Sequence, residues 1–324
     1  MIFPGLVSVT FRQLKPDEIV RLAAAAGLKG IEWGGDIHVP PGKSDIARQV
    51  RRLTQGAGLQ VASYGSYYSV GVSRVEEFGN VLDTAGELGA PIIRIWAGNQ
   101  GSAQPSPPAC NAMRSIAGRQ SLSGGCRIAG GASEDYRRRL ADITRELADQ
   151  AKRRRLDLAF EFHGGTLTDT VDSTLALLSA INHPNVKTYW QPSPPACNAM
   201  RSIAGRQSLR SSVAGGVPAG IPIEDCAEGL KRVLPWLANI HVGSWSSDWK
   251  ERRALSENEA AWQRFLNIAA VTGRDHFALL EFVCNDDPAV LGQDAATLKQ
   301  LLAGLRSLGE EGPKLSQGHS LGAG

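Results

Sequence analysis

Strand-like and helix-like patterns alternate along this chain eight times, and this alternation limits the fold more than any other feature. Short apolar runs such as GLVSVTFR, PIIRIWAG and HFALLEFVCND are each followed by an amphipathic helical pattern. Glycines at Gly27, Gly58 and Gly273 end helices just before the next strand. Eight such units predict a single parallel α/β barrel, a (β/α)8 TIM barrel, rather than an open sheet.

The 324 residues exceed the roughly 250 that such a barrel typically needs. Part of the excess is a repeat, because the string QPSPPACNAMRSIAGRQSL occurs at Gln104–Leu122 and again at Gln191–Leu209. We therefore predict two long inserted loops, about 104–132 and 192–220, after strands 4 and 6. The barrel is expected over residues 1–305, and a disordered tail over 306–324. The insertions are either lids or a partner-binding surface, or else inert surface segments.

The charge balance argues against two classes of partner. Thirty-five basic and 32 acidic residues leave a formal net charge of +3, too small and too dispersed to favour nucleic acid. No apolar run reaches the roughly 18 residues of a membrane span, and the first residues lack the basic start and cleavage site of a signal peptide. A cytoplasmic protein with a small-molecule partner, no nucleic acid and no membrane is the expectation.

Polar residues stand at the ends of four predicted strands in the second half of the chain. The runs LDLAFEFHGG, VKTYWQP, ANIHVGSW and HFALLEFVCND supply Glu161 with His163, Gln191, His241 and Glu281. In a parallel barrel all strand ends open onto one face, so these side chains should meet there. Two carboxylates, an imidazole and an amide oxygen predict a mixed site for one divalent cation.

Further residues near strand ends are candidates for contact with a substrate. His163 shares a strand face with Glu161, and aromatic rings near strand ends can line a binding site. Arg94, inside the apolar run IIRIW, needs a carboxylate or phosphate partner. Glu32 is expected at the same mouth, and Tyr67 and Tyr68 are expected to help close it. The predicted substrate-binding residues are His163, His38, Trp33, Tyr64 and Trp96.

The motifs GIEWGGDIHVP, RIWAG, EFHGG, YWQP, NIHV and LLEF occur in order at predicted strand ends. In this respect the chain resembles the sugar phosphate isomerase/epimerase family of xylose-isomerase-like barrels, from Met1 to Leu305 apart from the insertions. The resemblance implies one divalent metal, manganese in the first place and otherwise magnesium, cobalt or iron. Its ligands would be Glu161, Gln191, His241 and Glu281. Gln191 is a departure, because many relatives have a carboxylate there, and its neutral amide should weaken metal binding.

The resemblance also implies the chemistry. A metal-dependent isomerase or epimerase would act on a small sugar, sugar phosphate or polyol-derived ketone, with Glu161 and Glu281 as the catalytic pair that moves a proton through an enediolate. An inosose-type dehydratase is the enzymatic alternative, and a non-catalytic barrel occluded by its two insertions is the other. The three-metal endonucleases of this fold need more His and carboxylate ligands than the chain offers. Relatives commonly form dimers or tetramers, so a homo-oligomer is consistent with the resemblance.

Overall fold

The structure is a computed structural model that describes residues 1–102, 131–192, 223–246 and 251–310, with side chains to residue 305. The first copy of the repeated string lies outside the described residues, and so does the second apart from Gln191 and Pro192. Most of the predicted tail lies outside them as well. The two predicted insertions fall in the connections between Trp96 and Glu134 and between Trp190 and Ile223, after the fourth and sixth strands.

Eight parallel strands form a closed barrel in the chain order β1 to β8. The strands are β1 (Ile2–Val7), β2 (Gly30–Gly34), β3 (Gln60–Ser69), β4 (Ile92–Trp96), β5 (Asp157–Phe160), β6 (Val186–Trp190), β7 (Leu237–Val242) and β8 (His276–Leu280). The pairing of Ile2 with His276 begins the register by which β8 returns to β1 and closes the sheet. The predicted (β/α)8 barrel is confirmed.

Each strand is followed by a helix that packs on the outside of the barrel. The helices are α1 (Pro16–Ala25), α2 (Ser44–Gly56), α3 (Phe78–Leu88), α4 (Glu134–Arg153), α5 (Val171–Ile181), α6 (Ile223–Val233), α7 (Glu259–Ala270) and α8 (Leu291–Glu310). Side-chain caps fix several starts: Ser133 accepts from the N–H of Tyr136, and Thr170 accepts from that of Ser173. Gly27, Gly58 and Gly273 all have positive φ, as expected at helix stops.

The apolar core has two parts, one between the strands and the helices and a smaller one inside the barrel. Inside the barrel, small or slender side chains predominate: Val7, Ala62, Ala159, Ala238 and Leu279 pack with the ring of Tyr189. Because these side chains fill the lower interior, the polar residues of the barrel gather toward the carboxyl ends of the strands. Among the described residues, no helix is both long enough and apolar enough to cross a membrane.

Candidate active site and metal centre

Three of the predicted ligands meet at the carboxyl ends of three strands, β5, β7 and β8. Glu161 follows β5 directly, His241 lies in β7, and Glu281 follows β8. The backbone N–H of Glu161 bonds Ile95 O at 3.1 Å, and that of Glu281 bonds Val242 O at 2.8 Å. These bonds extend the hydrogen-bond ladder of the sheet by one residue and fix the backbone position from which each side chain projects. One ligand atom from each of the three residues lies within 4.8 Å of the other two.

The imidazole of His241 lies at the centre of this group, with only 1% of the residue exposed. Its Nδ1 is 3.2 Å from Glu281 Oε2 and 3.8 Å from Glu161 Oε1. These distances suit an ion pair, yet neither contact has hydrogen-bond geometry, and among the described residues neither ring nitrogen has a hydrogen-bond partner. A buried nitrogen facing two carboxylate oxygens in this way is a donor set that fits one divalent cation.

Gln191, the fourth predicted ligand, follows β6 and is half-buried. Its Nε2 donates to the carbonyl of Phe162 at 2.9 Å. Because the nitrogen end is held by that carbonyl, Oε1 is the end of the amide that could accept a hydrogen bond or bind a cation. Its assignment as a metal ligand stays a prediction.

Arg94 lies beneath the three residues and is only 2% exposed. Its Nε donates to Glu32 Oε1 at 2.7 Å, and its Nη1 donates to Glu161 Oε2. Gly65 on the neighbouring strand makes room for the guanidinium, since a Cβ there would lie 2.6 Å from Arg94 Nη2. The sequence predicts a carboxylate or phosphate partner for this buried arginine, and the structure provides two carboxylates, Glu32 and Glu161.

Glu32 is the most buried carboxylate of the group, with 0% of the residue exposed. It accepts from Ser63 Oγ at 2.7 Å as well as from Arg94, and its Oε1 lies 3.5 Å from His241 Nε2. Burial alone would raise the pKa of Glu32, but Arg94 and His241 outweigh burial and lower it. The sequence analysis expected Glu32 at the mouth of the barrel. In the structure Glu32 lies below the mouth, where it contacts both Arg94 and His241.

The neighbouring carboxylates also set the protonation state of the His241 imidazole. Burial would lower the pKa of His241, whereas Glu281 and Glu32 outweigh that effect and raise it to about 10. Burial likewise opposes ionisation of Glu281, but His241 and Arg94 lower the pKa of this carboxyl. The protein without a bound cation therefore carries a proton on His241 in neutral solution. A cation that binds at Nδ1 has to displace it.

Two of the predicted substrate-binding residues lie beside these ligands. Trp96, at the end of β4, donates its Nε1 proton to Glu161 Oε2 at 2.5 Å. Its ring stacks on that of His163, with centroids 4.7 Å apart, and Tyr67 approaches it edge-on at 5.2 Å. His163 is exposed and Trp96 and Tyr67 are half-buried. The three rings thus form an aromatic wall next to Glu161.

The other three predicted substrate-binding residues are not brought to the ligands. Trp33 is fully buried and donates to Thr54 of α2 at 3.2 Å, while the hydroxyl of Tyr64 donates to Val39 O at 2.8 Å. His38 is hydrogen-bonded through Nδ1 to Ser8 Oγ at 2.9 Å, and its ring meets Trp33 edge-on. For Trp33 and Tyr64 the physical reason is the alternation of side chains along a strand.

Along β2 and β3, Glu32 and Ser63 point into the barrel, so the next residues, Trp33 and Tyr64, point outward to the helices. The apolar-polar pattern of GIEWGG did not reveal this, because both faces of a barrel strand are buried. The aromatic rings next to Glu161 are those of Trp96, His163 and Tyr67, and substrate contact by Trp33, Tyr64 and His38 stays a prediction.

Two arginines at the rim were missed by the sequence reasoning. Arg252, after β7, pairs with Asp286 and lies over the ring of Phe282, with its Cζ 4.0 Å from the centroid. Arg12, after β1, donates to the hydroxyl of Tyr67 at 3.0 Å. Tyr67, Phe282 and Asp286 all have positive φ, a costly backbone conformation for residues with side chains. No local pattern marked these positions, because the loops that carry them acquire their shape only in the assembled barrel.

The profile of one protein family, described as the xylose isomerase-like TIM barrel, matches residues 20–308. This match covers most of the sequence. The chain belongs to this family. A search of curated proteins returns no significant match.

Solved structures with the same fold include enzymes of several activities. The probable 3-DHS dehydratase AsbF of Bacillus anthracis is 18% identical, with a TM-score of 0.65 over 92% of this chain and 99% of that one. An L-ribulose 3-epimerase is 15% identical, with a TM-score of 0.61 over 98% and 100%. A family protein of Mycobacterium smegmatis, in complex with magnesium, is 16% identical, with a TM-score of 0.60 over 94% and 98%. At these identities the likeness is one of fold.

Proposed function

We propose that this protein is a divalent-metal-dependent isomerase or epimerase of a small sugar, sugar phosphate or polyol-derived ketone. The observation that carries the proposal is the convergence of Glu161, His241 and Glu281 within 4.8 Å at the strand ends. Membership of the xylose isomerase-like family and the epimerases among the structures of the same fold support it. Manganese is the first ion to test, followed by magnesium, cobalt and iron.

In this proposal Glu161, His241 and Glu281 hold the cation, and Gln191 Oε1 is the fourth ligand. A divalent cation at this place would polarise a substrate carbonyl and acidify the neighbouring C–H. The wall of Trp96, His163 and Tyr67 offers a surface for the C–H face of a sugar and restricts water next to Glu161. The same arrangement would position the substrate between Glu161 and Glu281.

The two glutamates have unequal freedom to move a proton. Oε2 of Glu161 already accepts from Arg94 and from Trp96, which leaves only Oε1 facing the site. Glu281 contacts His241 and has the more exposed side chain, 13% against 7% for Glu161. We therefore assign removal of the substrate proton to Glu281, which afterwards loses that proton to water. Delivery of a proton to the other face of the enediolate is assigned to Oε1 of Glu161, which takes its proton from water and would bind the cation only when deprotonated. Return to the same carbon gives an epimer, and return to the neighbouring carbon gives an isomer.

A dehydratase is the second candidate. It is favoured by the 3-DHS dehydratase of the same fold, which has the highest TM-score of the three structures compared. Both reactions begin when a base removes a proton next to a carbonyl, so the same glutamates would serve. The two reactions differ in the next step, because elimination expels water and lowers the mass of the product.

Metal analysis and proton exchange test the proposal together. Purified protein, loaded with Mn²⁺, would be incubated with a panel of ketoses and inososes in deuterated water and the products analysed by mass spectrometry. Deuterium incorporation without loss of water supports the isomerase or epimerase, whereas loss of water indicates the dehydratase. Glu281→Gln should abolish exchange, and Glu228→Gln, which changes an exposed carboxylate on α6, should not. Absence of bound metal after loading would refute the proposal and favour a non-catalytic barrel.

The remaining expectations also stand as proposals. The substrate is a small carbohydrate, and a homo-oligomer in the cytoplasm, acting on neither nucleic acid nor membrane, is the form in which we expect the protein to work.

A further inference from the structure

Either ring nitrogen of His241 could bind a cation, but the contacts of the ring favour Nδ1. Nδ1 faces Glu281 and Glu161, whereas Nε2 faces Oε1 of Glu32 at 3.5 Å. Glu32 lies on the opposite side of the ring from the other two carboxylates. Nδ1 faces two carboxylates that could share a cation with it, whereas Nε2 faces a single carboxylate whose two oxygens already accept from Ser63 and Arg94. Nε2 is therefore the nitrogen that keeps its proton when a cation binds at Nδ1.

Glu32 is itself held too firmly to follow the ring. Arg94 Nε and Ser63 Oγ each donate to it at 2.7 Å, one to each carboxylate oxygen. The ring of Tyr189 lies 4.8 Å from that of His241, centroid to centroid, and Asn239 donates to the Tyr189 hydroxyl at 3.2 Å. The imidazole is thus bounded by a fixed carboxylate at its edge and a fixed aromatic ring near its face.

We infer that Glu32 is a positioning residue, whose carboxylate 3.5 Å from Nε2 of His241 attracts the proton on that nitrogen and so directs Nδ1 into the space between Glu161 and Glu281. The inference rests on the proposed function, because a bound cation is what gives the direction of Nδ1 a purpose. Glu32 does not touch that cation and acts only through the imidazole. Arg94 supports it by neutralising a carboxylate that has no access to water.

The affinity for Mn²⁺, measured by titration calorimetry, tests the inference. Glu32→Leu removes the acceptor and should weaken binding by about 10–100-fold, the range typical of such partners of a ligating histidine. Glu32→Gln loses the charge but keeps an oxygen for the ring, and should recover part of the lost affinity. The control is Glu77→Gln, which removes one exposed carboxylate beside Arg74 and should bind as the wild type does. Equal losses in the Gln and Leu variants would show that only charge matters and would overturn the inference.

A second measurement needs no variant and remains decisive if Glu32→Leu does not fold. An NMR-active cadmium isotope bound to protein with nitrogen-labelled histidine should show a direct coupling to Nδ1 of His241, while Nε2 keeps its proton. Coupling to Nε2 would overturn the inference and leave the proposed function intact. A wild type that binds neither manganese nor cadmium would instead refute the proposed function, and the inference with it.

Discussion

Replacing Arg94 by methionine should destabilise the barrel far more than an ordinary loss of surface charge. The guanidinium is 2% exposed and lies between Glu32 and Glu161. Without it, Glu32 stays buried with a negative charge and without a cationic side chain bonded to it, beside the hydroxyl of Ser63 and the edge of His241. A buried carboxylate that loses its cation costs several kcal/mol, because water cannot reach it to replace the lost interaction.

The size of the effect follows from the burial of the pair. Breaking a fully buried ion pair by removing one partner costs about 3–5 kcal/mol. With about 2.1 cal/mol/K of unfolding entropy per residue, a chain of 324 residues would lose roughly 4–7 °C in Tm. Removing both charges in Glu32→Leu with Arg94→Met avoids the orphaned carboxylate at position 32. We expect the double variant to be less destabilised than the sum of the two single variants, by on the order of 2 kcal/mol.

Urea unfolding of the wild type, both single variants and the double variant would give this coupling free energy directly. Arg154→Met serves as the control, since Arg154 forms an ion pair with Asp83 in which both side chains are about half exposed. The control should change the free energy of unfolding by less than about 1 kcal/mol. Effects of Arg94→Met and Glu32→Leu that add within about 0.5 kcal/mol would show that the two residues are not coupled, contrary to the reasoning.

Three further predictions concern the site and its support. Because the pKa of His241 is raised to about 10, Mn²⁺ has to displace a proton, so calorimetry should show affinity rising about tenfold per pH unit over roughly pH 6–8; a flat profile would contradict this. Trp33→Phe should cost about 1 kcal/mol of stability through its lost hydrogen bond and leave Mn²⁺ affinity unchanged, whereas Trp96→Phe should reduce the affinity; equal effects on affinity would refute the assignment of the two rings. Gly65→Ala should lower the free energy of unfolding by about 1–3 kcal/mol, because its Cβ would meet Arg94 at 2.6 Å; wild-type stability in urea would mean that the guanidinium shifts freely.

The strand ends were predictable from the sequence for a physical reason. A buried parallel strand reads as a short apolar run, and a polar residue such as Glu161, His241 or Glu281 at its end stands out. The barrel then brings all strand ends to one face, so ligands far apart in the chain could be grouped from the sequence alone. The sequence predicted an anionic partner for Arg94, a carboxylate or a phosphate, because its buried charge requires one, but burial does not say which residue supplies it.

The direction of a side chain on a barrel strand could not be read in the same way. Both faces of such a strand are buried, so an apolar run does not distinguish the side that faces the axis from the side that faces the helices. For this reason Trp33 and Tyr64 were expected at the mouth although they pack outward, and Glu32 was expected at the mouth although it lies beneath it.

The number and order of the strand–helix units could be predicted without the structure, and so could the residues able to bind a cation, since both follow from local apolar patterning and chemical type. Three relations are visible only in the folded barrel: Arg94 joins Glu32 to Glu161, Glu32 faces Nε2 of His241, and Trp96 covers Glu161. These relations depend on register and on which way each residue points across the closed barrel. Contacts between strands distant in the chain fix those properties, and no short stretch of sequence contains them.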